Sequence, residues 1–301
     1  MYDIIGDIHG HATRLEALLG ELGYERKSGS YKHPERKVLF VGDYIDRGPE
    51  IRETLQIVRS MTENDQAIAL MGNHEYNALC FHFRDQNGGH LRRHSIKNLI
   101  QHYETIRQFQ NRQSEYEDYL EWFFTLPLFF EHPNFRATHA CWDHKNIAFL
   151  KSRLENNRLT PSLLHTSVDR NTNLYKAIDE TLKGEEIQMP EGLSFKDKDG
   201  TKRTDIRIKW WENPAESTYK SISVIPLSNL PDSPITNSKE SAYYTESEKP
   251  VFFGHYWLKG KPKLFRNNIC CTDYSVAKGG YLAAYRMDDE DVLNDDKFVF
   301  V

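Results

Sequence analysis

The sequence predicts an α/β fold built on a largely parallel sheet that is buried on both faces. Apolar strands alternate with amphipathic helices through the first third of the chain, and polar motifs follow directly after three of those strands. Strands that read as continuous apolar runs are typical of parallel sheets covered by helices. Functional groups on such sheets collect beyond the carboxyl ends of the strands. The same pattern therefore predicts the fold class and the edge of the sheet where function lies.

The first five elements alternate strictly between strand and helix. The predicted strands are 2–5, 38–41 and 67–71, and the predicted helices between them are 12–22 and 51–61. The strands are short apolar runs, whereas the helices repeat apolar residues with a period near 3.6. This alternation predicts parallel strands joined by helical crossovers.

The middle of the chain is predicted to be mainly helical. Residues 77–126 have a helical pattern that Leu126-Pro127 ends, and strands are predicted at 128–131 and 135–138. A second helical stretch covers 146–184, with a helix start at Thr160-Pro161, because Thr caps a helix and Pro suits its first turn. The first stretch is expected to cover the functional edge of the sheet.

The last third returns to strands and loops. Residues 195–211 surround Asp199-Gly200, a strong hairpin signal. Residues 226–250 are rich in Ser, Pro, Asn and Glu and are expected to form an exposed loop or a mobile cover. Further strands are predicted at 251–253, 263–265, 268–272 and 280–286, the last three antiparallel.

Composition narrows the class of protein. The chain has 301 residues, 39% of them hydrophobic and 28% charged, and no apolar run approaches the length of a membrane-spanning helix. It enters a strand at once, which leaves no room for a secretory signal, so we expect a cytoplasmic protein with no membrane partner. The net charge of −5 argues against a dedicated nucleic-acid binder, and nucleic acid is expected only as a substrate.

The cysteine pattern carries no further chemistry. Four cysteines, two of them adjacent, show no Cys-x-x-Cys spacing. A disulfide framework and a zinc ribbon are therefore not indicated. Cys80, Cys141, Cys270 and Cys271 are expected to be reduced and mostly buried.

Three short segments suggest a metal site. They are GDIHG at 6–10, GDYIDRG at 42–48 and GNHE at 72–75, each directly after a predicted strand. A site for two metal ions that hydrolyses phosphate esters needs oxygen ligands, a few imidazoles and one carboxylate that spans both ions. The side chains that supply this mixture are Asp7, His9, Asp43, Asn73, His139 and His255.

These segments resemble the leading motifs of the calcineurin-like metallophosphoesterases, in the branch with phosphoprotein phosphatases and symmetrical diadenosine tetraphosphatases. Gly254-His255 is similar to a fourth motif, and 271–273 with 279–282 is similar to the closing motif. The resemblance implies a four-layer α/β/β/α sandwich in which two packed sheets are flanked by helices. It also implies a single domain over 1–301, with accessory insertions at about 77–126 and 144–250.

The resemblance also implies a role for each motif residue. Asp7 and His9 would bind one ion, Asp43 would bridge both, and Asn73, His139 and His255 would bind the second. A hydroxide bridging the ions would attack phosphorus. His74, paired with Asp46, would protonate the leaving oxygen. Arg47, Asn73 and Arg207 would hold the phosphate, with Arg203 as another candidate for that clamp, and Glu75 and Asp273 would support the ligands from behind.

The sequence departs from the family at one ligand. The family has His-Gly-Gly where this chain has His139-Ala140-Cys141, so the backbone there lacks the conformational freedom of glycine. Ala and Cys are still small, and His139 is retained as a predicted ligand.

Other conspicuous residues have ordinary explanations. His82 and His102 are interpreted as helix histidines, and the basic run at 90–94 as a solvated helix face. Trp210, Trp211 and Trp257 are expected to pack an accessory segment rather than to stack on substrate.

The predicted function is metal-dependent hydrolysis of phosphate monoesters, with phosphoserine or phosphothreonine in proteins as the first substrate class. Two alternatives stay open: a hydrolase of dinucleoside polyphosphates, nucleotides or polynucleotide phosphates, and a metal-stabilised interaction module without activity. The ligand set suits two divalent transition-metal ions. Manganese is the expected metal, with iron, zinc and nickel as alternatives, and the expected partner is a phosphorylated protein, nucleotide or small molecule.

Overall fold

Short strands and nine helices make up the computed structural model, which describes residues 1–196, 202–236 and 243–301. In these ranges the strands are β1 (Tyr2–Ile5), β2 (Glu25–Lys27), β3 (Ser30–Lys32), β4 (Lys37–Phe40), β5 (Ala67–Ala69), β6 (Phe129–Glu131), β7 (Arg136–Thr138), β8 (Glu186–Gln188), β9 (Phe195–Lys196), β10 (Lys202–Arg203), β11 (Asp205–Arg207), β12 (Val251–Phe253), β13 (Ile269–Cys271), β14 (Asp273–Tyr274), β15 (Tyr281–Met287) and β16 (Phe298–Phe300). The helices are α1 (Ala12–Glu21), α2 (Ile51–Glu63), α3 (Asn73–His82), α4 (Ile96–Phe109), α5 (Gln113–Phe123), α6 (His144–Arg153), α7 (Pro161–Ser167), α8 (Asn173–Lys183) and α9 (Tyr219–Ile222).

Two sheets form the centre of the fold. The first has the order β14-β15-β1-β4-β5, with β16 also paired to β15, and the second has the order β13-β12-β7-β6. Strands β1, β4 and β5 run parallel, as do β7, β12 and β13. Both sheets therefore contain parallel strands whose carboxyl ends share one edge.

The sheets pack face to face through side chains that alternate along each strand. In β4, Leu39 packs in the cluster with Phe252 of the second sheet and with Phe135, which directly precedes β7. Its neighbour Phe40 belongs instead to the cluster that contains Leu15 of α1 and Leu55 of α2. Because successive strand residues point to opposite faces, β4 is buried on both sides. The predicted sandwich of two sheets with flanking helices is confirmed.

The early elements form where the apolar pattern predicts them. All three predicted strands and both helices of the first third are present, with ends shifted by at most two residues. The helix start at Thr160-Pro161 is also confirmed, because the Thr160 hydroxyl accepts a hydrogen bond from the backbone N–H of Leu163. None of the helices in the described ranges combines the length and apolar character needed to cross a bilayer.

Two predicted features of the last segment are wrong. Residues 263–265 form no strand, because both backbone groups of Lys263 bond the hydroxyl of Tyr274, at 2.8 Å each. Strand β13 lies within the predicted 268–272, but it runs parallel to β12 rather than antiparallel to a neighbour. Strand β15 is antiparallel as predicted.

The predicted hairpin is correct only in its first part. Strands β9 and β10 pair antiparallel, whereas the turn residues Asp199-Gly200 lie outside the described residues. The segment up to 211 does not continue that hairpin. Instead β11 pairs antiparallel with β8.

The helical and loop predictions need similar correction. The stretch 77–126 contains parts of three helices, with 83–95 non-helical between them, so the basic run at 90–94 is not a helix face. In the described parts of 226–250 there is no helix or strand, yet Leu230 and Tyr244 are buried. Tyr244 is held by Arg136, which donates a hydrogen bond of 2.9 Å to its hydroxyl. The prediction of an exposed loop is therefore wrong at these two residues.

Candidate metal centre

The predicted ligands meet where strands of both sheets end. Asp7 follows β1 and Asp43 follows β4, while Asn73 begins α3 after β5. From the second sheet, His139 directly follows β7 and His255 lies two residues after β12. All of these side chains are buried. Segments far apart in sequence therefore converge because parallel strands end at a common edge.

One group of donor atoms surrounds the Oδ1 side of Asp43. The Oδ1 atom of Asn73 lies 3.0 Å from Nε2 of His139 and 2.7 Å from Nδ1 of His255. Oδ1 of Asp43 lies 3.4 Å from the same Nε2 atom. The other nitrogen of His139 donates to the carbonyl of Val41 at 2.8 Å, which leaves Nε2 with a lone pair for a ligand. Four potential metal-ligand atoms therefore lie close together at the Oδ1 side of Asp43.

A second group lies at the Oδ2 side of the same carboxylate. Oδ2 of Asp43 is 3.6 Å from Nε2 of His9 and 3.9 Å from Nε2 of His74. Nδ1 of His9 donates to the carbonyl of Ile45 at 3.0 Å, whereas its Nε2 is buried and makes no hydrogen bond with any described residue. Burial and the neighbouring His74 lower the pKa of His9 to about 3. Its neutral ring therefore aims an unpaired lone pair at Asp43.

Asp7 follows β1 at the same sheet edge but belongs to neither group. Its carboxylate accepts hydrogen bonds of 3.2 and 3.1 Å from the backbone N–H of His255. A Cβ atom at Gly254 would come within 2.0 Å of Oδ1 of Asp7, so only glycine allows this approach. Burial, followed by repulsion from Asp273 and Asp43, raises the pKa of Asp7 well above its usual value. A cation next to Asp7 would remove that penalty.

Glu75 anchors the loop that carries Asp43. Its carboxylate accepts hydrogen bonds from the backbone N–H groups of Asp43, Tyr44 and Gly72 at 2.9, 2.8 and 3.0 Å. Burial and the charge of Asp43 raise the pKa of Glu75 to about 7. Since both of its oxygens are used by backbone groups, Glu75 supports the ligand loop rather than offering a ligand atom.

Asp273, on β14, supports the site from another side. It accepts hydrogen bonds from the backbone N–H groups of Trp257 at 2.6 Å and Ser275 at 3.0 Å. Burial raises its pKa. Asp273 therefore fixes the loop after His255 and adds negative charge behind Asp7.

The backbone at the site is strained. Twelve described residues other than glycine have positive φ, and six of them belong to the site: His9 (48°), Asp43 (57°), Asp46 (67°), Arg47 (71°), His255 (73°) and Trp257 (53°). A residue with a side chain loses about 1–2 kcal/mol in this left-handed conformation. Such residues cluster where function over-determines the backbone. The strain is therefore an independent indication that these loops carry the function.

His74 is held by an extended hydrogen-bond network. Its Nδ1 donates to Oδ2 of Asp46, and Oδ1 of Asp46 accepts from Nδ1 of His102 at 2.7 Å and from the hydroxyl of Thr105 at 2.6 Å. The Thr105 hydroxyl also accepts from the backbone N–H of Asp46 at 3.0 Å. Burial alone would raise the pKa of Asp46, but His102 and His74 hold it below its usual range. The ionised carboxylate thus orients His74 with Nε2 toward the ligand groups.

Arg47 extends over an aromatic surface at the site. Its guanidinium carbon lies 4.3 Å from the centre of the Trp257 ring, and that ring stacks on His9 with centroids 5.3 Å apart. The Nε atom of Arg47 is buried without a hydrogen-bond partner among the described residues. Trp257 therefore belongs to the site, and its expected role in packing an accessory segment is wrong. The buried Trp210 and Trp211, which pack against Phe253, do have that role.

Arg207 reaches the site from the accessory region. Nη1 lies 2.9 Å from Nε2 of His255, and Nη2 donates to Glu186 at 3.1 Å. Burial and the charge of Arg207 lower the pKa of His255 well below its usual value. The Nε atom of Arg207, like that of Arg47, is buried without a hydrogen-bond partner among the described residues. The structure thus places Arg47 beside His74 and Arg207 beside His255, each with an Nε–H donor that no described residue accepts.

The departure at His139-Ala140-Cys141 has a simple structural explanation. Neither Ala140 nor Cys141 has positive φ, so this backbone does not require glycine. Both backbone N–H groups donate to the carbonyl of Thr181 on α8, at 3.0 and 3.2 Å. Trp210 also donates to the Ala140 carbonyl at 2.9 Å. The accessory region therefore holds the loop that carries His139.

Sequence reasoning missed three residues of this site: His102, Thr105 and Trp257. His102 and Thr105 lie three residues apart on α4, a spacing that places both on one helix face. Their polar character and their shared helix face are the only signals in the sequence for a buried role. Trp257 lies two residues after His255, and that proximity was a signal in its favour.

Strand ends that gather carboxylates, imidazoles and an amide have the donor chemistry of a metal-dependent hydrolase. Comparison with known proteins identifies the protein family. The profile of the calcineurin-like phosphoesterases matches residues 2–255, and the chain belongs to that family. Members of the family use a dinuclear divalent metal site, and two groups of buried His and Asp side chains in this chain could hold metal ions.

Individual relatives cover different parts of the chain. The asymmetrical bis(5'-nucleosyl)-tetraphosphatase PrpE of Halalkalibacterium halodurans is 47% identical over 74 residues, which are 24% of this chain and 30% of that relative. The chain thus spans less than a third of that relative's length. A symmetrical bis(5'-nucleosyl)-tetraphosphatase of Marinomonas sp. is 26% identical over 95% of this chain and 94% of its own length.

A solved structure shows the same fold. A protein serine/threonine phosphatase from Saccharomyces cerevisiae superposes with a TM-score of 0.53 at 14% identity, covering 100% of this chain and 78% of the other. At this identity the likeness supports the fold alone.

Proposed function

We propose that Asp7, His9, Asp43, Asn73, His139 and His255 hold two divalent cations, with Asp43 between them. The observation that carries this proposal is the position of the Asp43 carboxylate. Its Oδ1 lies 3.4 Å from Nε2 of His139, and its Oδ2 lies 3.6 Å from Nε2 of His9. A buried imidazole nitrogen without a hydrogen-bond partner, as in His9, is costly unless a ligand satisfies it.

Two divalent ions, when bound, supply Lewis-acid activation of water and charge compensation on a phosphoryl group. The chain provides the rest. Arg47, beside His74, and Arg207, beside His255, have Nε–H donors without a partner among the described residues. Guanidinium groups match phosphate oxygens in a planar, paired geometry. They would hold the phosphoryl group in place while it reacts.

His74 is proposed as the proton donor to the leaving oxygen. Its Nδ1 is committed to Asp46, so only Nε2 can face a substrate. Nε2 lies 3.5 Å from Nη2 of Arg47, which places the proton beside the proposed phosphate-binding group. The Asp46 carboxylate keeps this imidazole oriented with Nε2 toward the substrate, as a proton donor requires.

The proposed substrate class is the dinucleoside polyphosphates. The Marinomonas relative, which aligns over 95% of this chain, is named a symmetrical bis(5'-nucleosyl)-tetraphosphatase. The proposed products are nucleotides released by hydrolysis of a phosphoric anhydride. Manganese is the proposed metal, since carboxylate, amide and imidazole ligands suit it, with iron, zinc and nickel also compatible.

Hydrolysis of phosphate monoesters is the second candidate, and a specific observation favours it. The network from His74 through Asp46 to His102 and Thr105 is elaborate. Protonation of the leaving oxygen matters most when the leaving group is a poor one, such as the alkoxide of a serine or threonine side chain. A phosphate leaving group needs it less.

A substrate screen separates these candidates. The purified chain, loaded in turn with manganese, iron, zinc and nickel, is assayed on diadenosine tetraphosphate, p-nitrophenyl phosphate, a phosphoserine peptide and a 5'-phosphorylated oligonucleotide. We expect metal-dependent turnover with the highest kcat/KM on diadenosine tetraphosphate. A higher kcat/KM on the phosphopeptide would favour the second candidate. If no substrate is hydrolysed with any metal, the alternative of a metal-stabilised interaction module gains support.

A further inference from the structure

A cationic pocket lies beside α3, outside the proposed metal centre. It is a cavity of about 490 Å³, within the size range of small-molecule sites. The described residues of its wall include five cationic side chains, namely Arg92, Arg93, Arg170, Lys183 and Arg203, and no Asp or Glu. The whole chain has a net charge of −5. The pocket is therefore a positively charged region on a protein whose net charge is negative.

Three of the five cations form no ion pair with another described residue. No ion pair between described residues involves Arg92, Arg93 or Arg170, whereas Lys183 pairs with Asp179. Arg92 is partly buried, and among the described residues its guanidinium donates only to the neutral amide oxygens of Asn98 and Gln101, at 3.1 and 2.7 Å. Burial lowers the pKa of Arg92. Like charges gathered in a cavity raise its positive potential and favour an anion there.

The pocket and the metal centre share structural elements. Asn77 in the pocket wall lies four residues after Asn73 on α3, so both are on the same helix face, about 6 Å apart along the axis. Lys183 immediately precedes Gly184, where an added Cβ would lie 3.2 Å from Cδ of Arg207. The pocket and the metal centre therefore both border α3, and Lys183 of the pocket lies next in the chain to a residue that faces Arg207.

We propose that the cationic pocket binds phosphates of the substrate other than the one that reacts, so that the preferred substrate is a nucleoside or dinucleoside oligophosphate. This inference rests on the proposed function. Guanidinium groups bind phosphate in a planar, bidentate geometry, and the pocket offers three of them without carboxylate partners among the described residues. A substrate with a single phosphate would leave the pocket unused.

Two exposed arginines allow the proposal to be tested with little risk to folding. The double variant R93Q/R170Q is compared with wild type on diadenosine tetraphosphate and p-nitrophenyl phosphate. The ratio of the two kcat/KM values is expected to fall about 10-fold, chiefly through KM for diadenosine tetraphosphate, since each charged hydrogen bond contributes a few-fold in affinity. R153Q, on the exposed surface of α6, makes the same change of charge elsewhere and should leave the ratio within twofold.

Direct binding provides a second measurement that does not depend on turnover. Inorganic tripolyphosphate is titrated calorimetrically into metal-free wild type and R93Q/R170Q, and we expect binding that the double variant weakens about 10-fold. An equal affinity in both proteins would overturn the proposal, as would an unchanged kcat/KM ratio. If the double variant had a higher KM only for an acidic phosphopeptide, the pocket would be assigned to a protein substrate. That result would also overturn the proposal. A wild type that binds tripolyphosphate yet hydrolyses nothing would refute the proposed function while leaving the pocket in place.

Discussion

His102 and Asp46 are joined by a hydrogen bond of 2.7 Å between Nδ1 and Oδ1, although they lie 56 residues apart in the chain. Asp46 in turn holds His74, the proposed proton donor. Nε2 of His102 accepts from the hydroxyl of Tyr116 at 2.8 Å, which fixes the tautomer that donates to Asp46. His102 is therefore a positioning residue that acts on His74 through Asp46.

Replacing His102 should affect substrates according to their leaving groups. In His102→Leu the donor to Asp46 is lost, so kcat on a phosphoserine peptide should fall about 10-fold or more, with a smaller loss on p-nitrophenyl phosphate. His102→Asn keeps an N–H near the position of Nδ1 and should recover most of the activity. Equal losses on both substrates would indicate a structural role only.

Removing the proton donor should be more severe but should spare the metals. His74→Ala is expected to lower kcat about 10²–10⁴-fold on esters with poor leaving groups. The metal content, measured by plasma mass spectrometry, should remain at two ions per chain because Asp43 and His9 remain. A variant that loses an ion would identify His74 as a ligand and contradict its assignment as an acid.

The strained backbone at Arg47 predicts an unusual stability effect. Arg47→Ala and Arg47→Gly both remove the guanidinium, but only glycine relieves the left-handed conformation at φ 71°. We expect the glycine variant to be more stable than the alanine variant by about 1 kcal/mol in urea unfolding, after allowing for the greater chain entropy of glycine. Both should bind substrate poorly. Lower stability of the glycine variant would mean that this backbone carries no strain.

A buried ion pair far from the metal centre predicts a loss of stability. Asp3 on β1 is fully buried, and Nε of Arg36 donates to its two oxygens at 3.0 and 2.9 Å. Arg36→Met would leave that carboxylate without its main partner, at a cost of about 3 kcal/mol. The double variant Asp3→Leu/Arg36→Met should recover much of this loss, because apolar pairs often replace buried ion pairs without penalty.

The measurement for this pair is urea unfolding at neutral pH, with metal content as a control. Neither residue belongs to the proposed site, so both variants should still bind two ions. A single variant as stable as wild type would show that Tyr24 and Arg286, which also contact Asp3, satisfy it alone.

The strand-end motifs could be predicted because local sequence carries both the strand and the ligand. An apolar run such as 38–41 forms a buried strand, and Asp43 follows it at the carboxyl end. His139 and His255 obey the same rule in the second sheet. Parallel strands then bring these groups together without further information from the sequence.

The supporting residues could not be predicted, because their roles depend on how distant elements pack. His102 reaches Asp46 only because α4 docks on the loop after β4, and nothing within either segment encodes that contact. Residues 263–265 have an apolar pattern suited to a strand, but the hydroxyl of Tyr274 satisfies the backbone of Lys263 instead. A basic run such as 90–94 is typical of a solvated helix face, whereas here Arg92 and Arg93 line a cavity with Arg170.

In the proposed metal centre, two cations share the Asp43 carboxylate. Anomalous diffraction at the manganese edge from crystals soaked in Mn²⁺ tests it most directly. We predict two peaks on opposite sides of Asp43, one next to His9 and Asp7, and the other next to Asn73, His139 and His255. A single peak, or peaks bound by residues outside these six, would contradict the account.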